Sequence, residues 1–170
     1  MPAPRDFRTF SFSNERVERC GKYVGRYNYW KLYAIENTLR VTLHTILSRQ
    51  IGPDWWTVAV DPEVQKRATK VRDSYTRRPW HTPAGSHDIY YVFLPDISNI
   101  MRANSHLIAP VIPTINGWIT RIDDIRIPRN LVGHMNYPNL ADRQRIDVLH
   151  SDMRSLVAQV QTRGLPIAIP

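Results

Sequence analysis

The chain has one cysteine, Cys20, and its only lysines are Lys22, Lys31, Lys66 and Lys70. No apolar run approaches the ~20 residues that a membrane-spanning helix needs. A lone cysteine excludes an internal disulfide framework and any zinc site built on a cysteine pair. With 170 residues the chain can bury a real core without such staples. The expected compartment is a reducing cytoplasm. The opening MPAPRDFRTFSFSN lacks a basic stretch followed by an apolar one, so no secretory signal is expected. No glycine-rich phosphate loop and no serine-nucleophile elbow occurs. His81, His87 and His106 fit no zinc-ligand spacing, so neither a metal nor a cofactor is expected.

What the chain does have is arginine. Lysine and arginine together number 23 against 15 acidic residues, giving a net charge of +8 and a pI near 10.0. A surplus of this size favours a polyanionic partner, because each cation that neutralises a phosphate releases condensed counterions. The guanidinium fork matches phosphate geometry better than an ammonium does. Nucleic acid is therefore the expected partner class.

Hydrophobic periodicity gives an all-α reading: an antiparallel bundle of four to six helices in one domain over residues 30–162. Residues 1–29 read as an arm with a short helix, capped by Asn14 and carrying Val17, Cys20 and Val24. Residues 163–170 read as an apolar tail that docks or lies loose. The first strong helix, about 30–50, repeats Ile35, Leu39, Leu43, Ile46 and Leu47 and stops at Gly52-Pro53. Asp61-Pro62-Glu63 is a helix start: a cap, a proline in the first turn, and an acid at the positive end of the dipole. Val64, Ala68, Val71 and Tyr75 mark its inward stripe. The segment IYYVFL, 89–94, fits either a short strand or an aromatic helix start. Residues 96–108 read as one helix. Ile115, Trp118, Ile119, Ile122 and Ile125 share a face of the next, and 140–162 forms the last.

Between Pro128 and Pro138 lies Arg129-Asn130-Leu131-Val132-Gly133-His134. With Pro128 opening a short helix, Asn130 and His134 are one turn apart on one face. That placement puts them near a helix N-terminus, where free N–H groups favour a phosphate. A cation, an amide and an imidazole are the groups that phosphodiester cleavage uses. An imidazole moves protons near neutral pH. A guanidinium offsets the charge that develops on the phosphate. The plain alternative is a set of surface and capping groups.

These residues resemble the HEPN superfamily, small helical-bundle proteins of toxin–antitoxin, abortive-infection and RNA-processing systems. The family pattern is Arg, four to six residues, then His, commonly with Asn after the Arg; RNLVGH fits it. The preceding amphipathic helix NGWITRIDDIRI and the first long helix, IENTLRVTLHTILSRQIGPDWW, are also similar to the family's. The resemblance covers much of residues 30–160. It implies a metal-independent endoribonuclease in which the ribose 2′-OH attacks its own phosphate, leaving a 2′,3′-cyclic phosphate. Arg129, His134 and Asn130 would be the catalytic residues. It implies a homodimer with two motifs facing one cleft, and an antitoxin or sensor protein as partner. A non-catalytic helical module of the same family, binding RNA, a nucleotide or a protein, is the alternative. Some toxin members carry a Tyr two residues after the His; here that position is Asn136, with Tyr137 one further on, which weakens the case for that mode of regulation. Gly133 would let a facing backbone approach closely, or serve local packing.

Glu36, Arg40 and His44 form an i, i+4, i+8 stripe on the first long helix. It either lines the cleft opposite Arg129 and His134, with Glu36 and Arg40 as support, or is a solvated face with one weak ion pair. The basic, aromatic loop with Arg72, Arg77, Arg78, Trp80 and His81 can track an RNA backbone and stack a base, or be plain mobile surface. Arg126 is a further candidate RNA contact.

Overall fold

A computed structural model describes residues 2–170. Among them every regular element is helical and there is no strand. The helices are α1 (Asn14–Val24), α2 (Trp30–Ile51), α3 (Trp55–Ala59), α4 (Pro62–Thr76), α5 (Leu94–Ala103), α6 (Ser105–Ile108), α7 (Ile115–Asp124), α8 (Arg126–Gly133) and α9 (Leu140–Thr162). Among the described residues no helix is long and apolar enough to cross a membrane.

The spine of the bundle is α2 lying along α9, the most extensive helix pairing in the molecule. Ile35, Leu39, Leu43, Ile46 and Leu47 are all buried, as are Ile146, Leu149, Met153, Leu156 and Val160 of α9. Side chains of this size stabilise by about 1.5–3 kcal/mol each when fully buried, so these stripes supply much of the driving force. On α4, Val64 and Ala68 are buried, whereas Val71 only packs partly and Tyr75 is exposed, so the inward stripe is shorter than its spacing suggests.

Caps explain several boundaries. Asp61 Oδ1 accepts from Glu63 N at 2.8 Å and Pro62 opens α4. Asn139 Oδ1 accepts from Asp142 N at 2.8 Å and starts α9. Gly52, at φ 110°, ends α2 in a conformation that a side chain resists.

Four boundaries differ from the periodicity. Residue 29 is no break: α1 runs into α2 through a π-helical turn, Gly25–Tyr29, with helical backbone on both sides. Asn14 is the first helical residue, and Ser13 occupies the capping position. The segment 89–94 is neither strand nor α-helix start; Asp88–Tyr91 is a 3-10 turn, then Val92 and Phe93 are extended until Leu94 opens α5. The 96–108 helix is split at Asn104, whose side chain donates to Ala59 O and Ile100 O, both at 2.9 Å. One buried amide there satisfies two carbonyls and ties α5 to α3. The tail docks: Ala168 N donates to Thr45 Oγ1 at 3.0 Å, pinning it to α2.

A histidine–tryptophan cluster closes the far end of α2. Trp55 Nε1 donates to His44 Nδ1 at 3.1 Å, and the His87 ring stacks on Trp55. His87 Nδ1 accepts from Ile89 N at 3.1 Å and so starts the 3-10 turn. Both imidazoles work as acceptors in their neutral form. Burial holds both below the ordinary histidine range of 6.5; for His44 the facing His87 adds to the effect, and for His87 Asp88 opposes it. The unfolded chain therefore binds more protons than the folded one below pH 6.5, and stability falls as pH drops through that region. The melting temperature is expected to decline from pH 7.5 to 5.5. The variant His87→Asn, which keeps a capping acceptor but cannot titrate, should show a shallower decline by differential scanning fluorimetry. An unchanged slope would rule out the cluster as a source.

Candidate active site

Helix α8 carries the Arg129–His134 segment. It begins at Arg126, because α7 and α8 are separated only by Ile125. Pro128 is thus the third residue of the helix and not its first. Its missing N–H costs nothing there, since the first turn has no intrahelical acceptors to reach. The first helical bond is Arg129 N to Ile125 O at 2.8 Å.

The C-terminal end decides the geometry. His134 is the capping residue; Met135 N donates to Val132 O and Asn136 N to Leu131 O, each at 2.9 Å. This is a Schellman arrangement with a residue of positive φ just past the cap. That residue is Met135, at φ 59°, where glycine is usual. The conformation costs a non-glycine residue roughly 1–2 kcal/mol. The expectation of a phosphate-friendly helix N-terminus at Asn130 and His134 is therefore incorrect. Both lie in the last turn and at the cap, at the negative end of the helix dipole.

The two ends of the motif face different ways. Arg129 is half-buried and lines a cleft of about 540 Å³, bounded also by Tyr29, Tyr33, Glu36, Arg40 and Tyr90. Asn130 and His134 are exposed and do not line it, and neither side chain has a hydrogen-bond partner among the described residues. Gly133 does line it, but a Cβ there would meet only Arg129 Nη1, at an ordinary 3.7 Å.

Glu36 organises the cleft. Its Oε1 accepts from Arg40 Nη2 at 2.6 Å, and its Oε2 accepts from Arg129 Nε and Nη2, both at 3.3 Å. Arg40 also donates to Val92 O at 2.9 Å and to Asn37 Oδ1 at 3.1 Å. The Arg129 guanidinium lies 5.8 Å from the Phe93 ring centroid, within cation–π reach. Burial pulls the Arg40 guanidinium below its ordinary range; Glu36 resists that, and the like charge of Arg129 adds to it. Of the stripe 36, 40, 44, Glu36 and Arg40 line the cleft; Glu36 bonds Arg129, whereas Arg40 carries a like charge and is bonded to Glu36 instead. His44 belongs to the tryptophan cluster and not to the cleft.

The remaining candidates lie apart. Arg77, Arg78 and Trp80 are exposed past the end of α4, and none of them lines the cleft. Arg126 is exposed at the start of α8. The loop after α4 reaches the cleft through Ala84, and at the neighbouring Gly85 a Cβ would collide with the Tyr90 ring. Glycine is required at that contact, which sets the position of Tyr90. Tyr137 is held within the chain, donating to Pro4 O at 2.6 Å and accepting from Arg143 at 3.1 Å.

Tyr29, Tyr33, Asn37 and Tyr90 are cleft residues that the sequence reading missed. Tyr33 and Tyr29 sit at helical spacing before Glu36, on an extension of that stripe toward the N-terminus, and Asn37 sits one turn before Arg40. Tyr90 carried no periodic signal.

The chain was compared with known proteins. It matches no protein-family model, no curated protein and no solved structure. The chemistry of the cleft is thus read from its own groups. One buried carboxylate is shared by two guanidiniums, and the longer contacts to Arg129 make that cation the one an incoming anion can draw away.

Removing a partner from a buried ion pair leaves uncompensated charge, which costs about 3–5 kcal/mol. Glu36→Ala is expected to destabilise by about 3 kcal/mol, read as a lower urea midpoint at unchanged m-value. Glu36→Gln should lose less. A change under ~1 kcal/mol would mean that the pair behaves as a solvated surface bridge.

Proposed function

We propose that the chain is a metal-independent endoribonuclease of the HEPN type, acting in a toxin–antitoxin or anti-phage system. The observation that carries this reading is the placement of Arg129. It is half-buried in the wall of the cleft, oriented by Glu36, with His134 at the cap of the same short helix. A phosphate entering the cleft competes with Glu36 for Arg129 and meets a guanidinium already directed toward it. His134, free of internal hydrogen bonds, supplies the proton transfer from the rim. The 2′-OH attacks phosphorus, the P–O5′ bond breaks, and the products carry a 2′,3′-cyclic phosphate and a 5′-OH. The net charge of +8 favours the substrate electrostatically. In this reading a second copy of the chain brings its own His134 to the same substrate, and an antitoxin or sensor protein restrains the activity. Asn130, exposed beside His134, contacts the phosphate or the imidazole.

A second reading has a specific observation in its favour. The His134 side chain does not line the cleft. A non-catalytic module would use Arg129 and the tyrosines to bind RNA or a nucleotide and would leave it intact.

The two readings separate in one assay. Purified protein in EDTA is expected to cut RNA and leave cyclic phosphate ends. His134→Ala should slow cutting by roughly 10²–10⁴-fold, the usual worth of a general acid or base, at unchanged melting temperature. Arg129→Ala should slow it by about 10²–10³-fold. RNA retention without cutting by the wild type would select the binding module. In bacteria, growth arrest by the wild type that His134→Ala relieves would support the toxin role.

A further inference from the structure

A second cavity, of about 370 Å³, lies behind the turn that follows His134, between that turn and α1. It shares three wall residues with the Arg129 cleft: Tyr29, Val132 and Met135. The two chambers are therefore neighbours across one partition, with His134 next to Met135 in sequence. Their chemistry differs. The first holds Glu36, Arg40 and Arg129; no charged side chain lines the second, whose walls include Phe7, Val17, Cys20, Val24 and Tyr137.

The second chamber has no internal filler. Gly21 and Gly25, one helical turn apart, line it, and a Cβ at either would meet nothing within 4 Å. Glycine inside a helix lowers its stability relative to alanine, and here no close packing requires it. Both partition elements are irregular: Tyr29 ends the π-helical turn, and Met135 holds the positive-φ position. One polar group borders the chamber with spare capacity. Asn136 donates through Nδ2 to His134 O, and its Oδ1 accepts no hydrogen bond among the described residues.

We propose that this chamber is a base-binding subsite: it takes the nucleobase of the nucleotide whose phosphate lies at Arg129. This rests on the ribonuclease reading and adds to it where the strand runs. A nucleobase is a flat, uncharged group with apolar faces and a polar edge, tethered to an anion, which is what an uncharged chamber beside two arginines accommodates. Tyr29 offers a π-face for stacking, and Asn136 Oδ1 accepts from an amino or ring N–H at the base edge. The strand then crosses the partition at Met135, which brings the intervening ribose and phosphate past His134.

The test fills the chamber without touching the arginines. Gly21→Leu is made in the His134→Ala background so that the RNA stays intact. Fluorescence anisotropy is read with a labelled single-stranded RNA hexamer and with a ribose-phosphate hexamer lacking bases. Gly21→Leu is expected to weaken RNA binding about tenfold, the usual worth of one stacked base, and to leave the abasic chain unaffected. Circular dichroism should show an unchanged or higher melting temperature; Gly25→Leu replaces the variant if Gly21→Leu fails to fold. Equal loss on both oligomers, or no loss on RNA, overturns the subsite. If the wild type cuts RNA and the filled variant binds it normally, only the subsite falls. If the parent protein binds neither oligomer, both readings fall.

Discussion

The carboxylate of Glu36 is the group on which the cleft depends. It is buried, and a buried charge is tolerated only with partners close by. Arg40 comes from one turn further along the same helix, and Arg129 from α8. One oxygen faces each. This division joins two distant parts of the chain through a single side chain and fixes where the Arg129 guanidinium sits. It also ranks the two cations. Arg40 is held by Glu36, Asn37 and the Val92 carbonyl; Arg129 is held by Glu36 alone, aside from its contact with the Phe93 ring. An anion entering the cleft meets one fixed charge and one that can turn toward it.

That organisation is possible because α2 serves two purposes on two faces. One stripe, from Ile35 to Leu47, packs into the core against α9. The other, from Tyr33 through Glu36 and Asn37 to Arg40, walls the cleft. The rigidity of the core is thereby transmitted to the site along a single helix, with no flexible connection between them. The far end of the same helix is closed by the His44, Trp55 and His87 rings, and the C-terminal tail is bonded to Thr45.

Most of the fold was legible because apolar side chains at 3.6-residue spacing report directly on burial. Ile35 to Leu47 and Ile115 to Ile125 face the core as their spacing required, as do Ile146, Leu149, Met153, Leu156 and Val160, while Val157 of the same stripe is only half-buried. The exposure of Tyr75, the split at Asn104 and the 3-10 turn at Asp88 were not legible, because spacing within one helix does not report the contacts around it. Asn104, for instance, breaks a helix in order to bond a carbonyl of another one. The candidate site was half legible. Arg129, Glu36 and Arg40 do meet. The orientation of Asn130 and His134 was misread, because Pro128 was taken for the first residue of α8. A proline is equally at home at the third, where it also has no bond to lose.

The manner in which His134 is held has an evolutionary consequence. Its position is set by backbone hydrogen bonds of the cap, and its side chain contributes nothing to folding that the structure records. Arg129 is bound to a buried carboxylate and cannot be exchanged without strain on the fold. Sequence drift would therefore remove the histidine long before the arginine. On the ribonuclease reading proposed above, lineages released from selection for cleavage would lose proton-transfer chemistry while keeping a cationic cleft. A catalytic ancestor and a binding-only descendant would then differ by little more than one surface position.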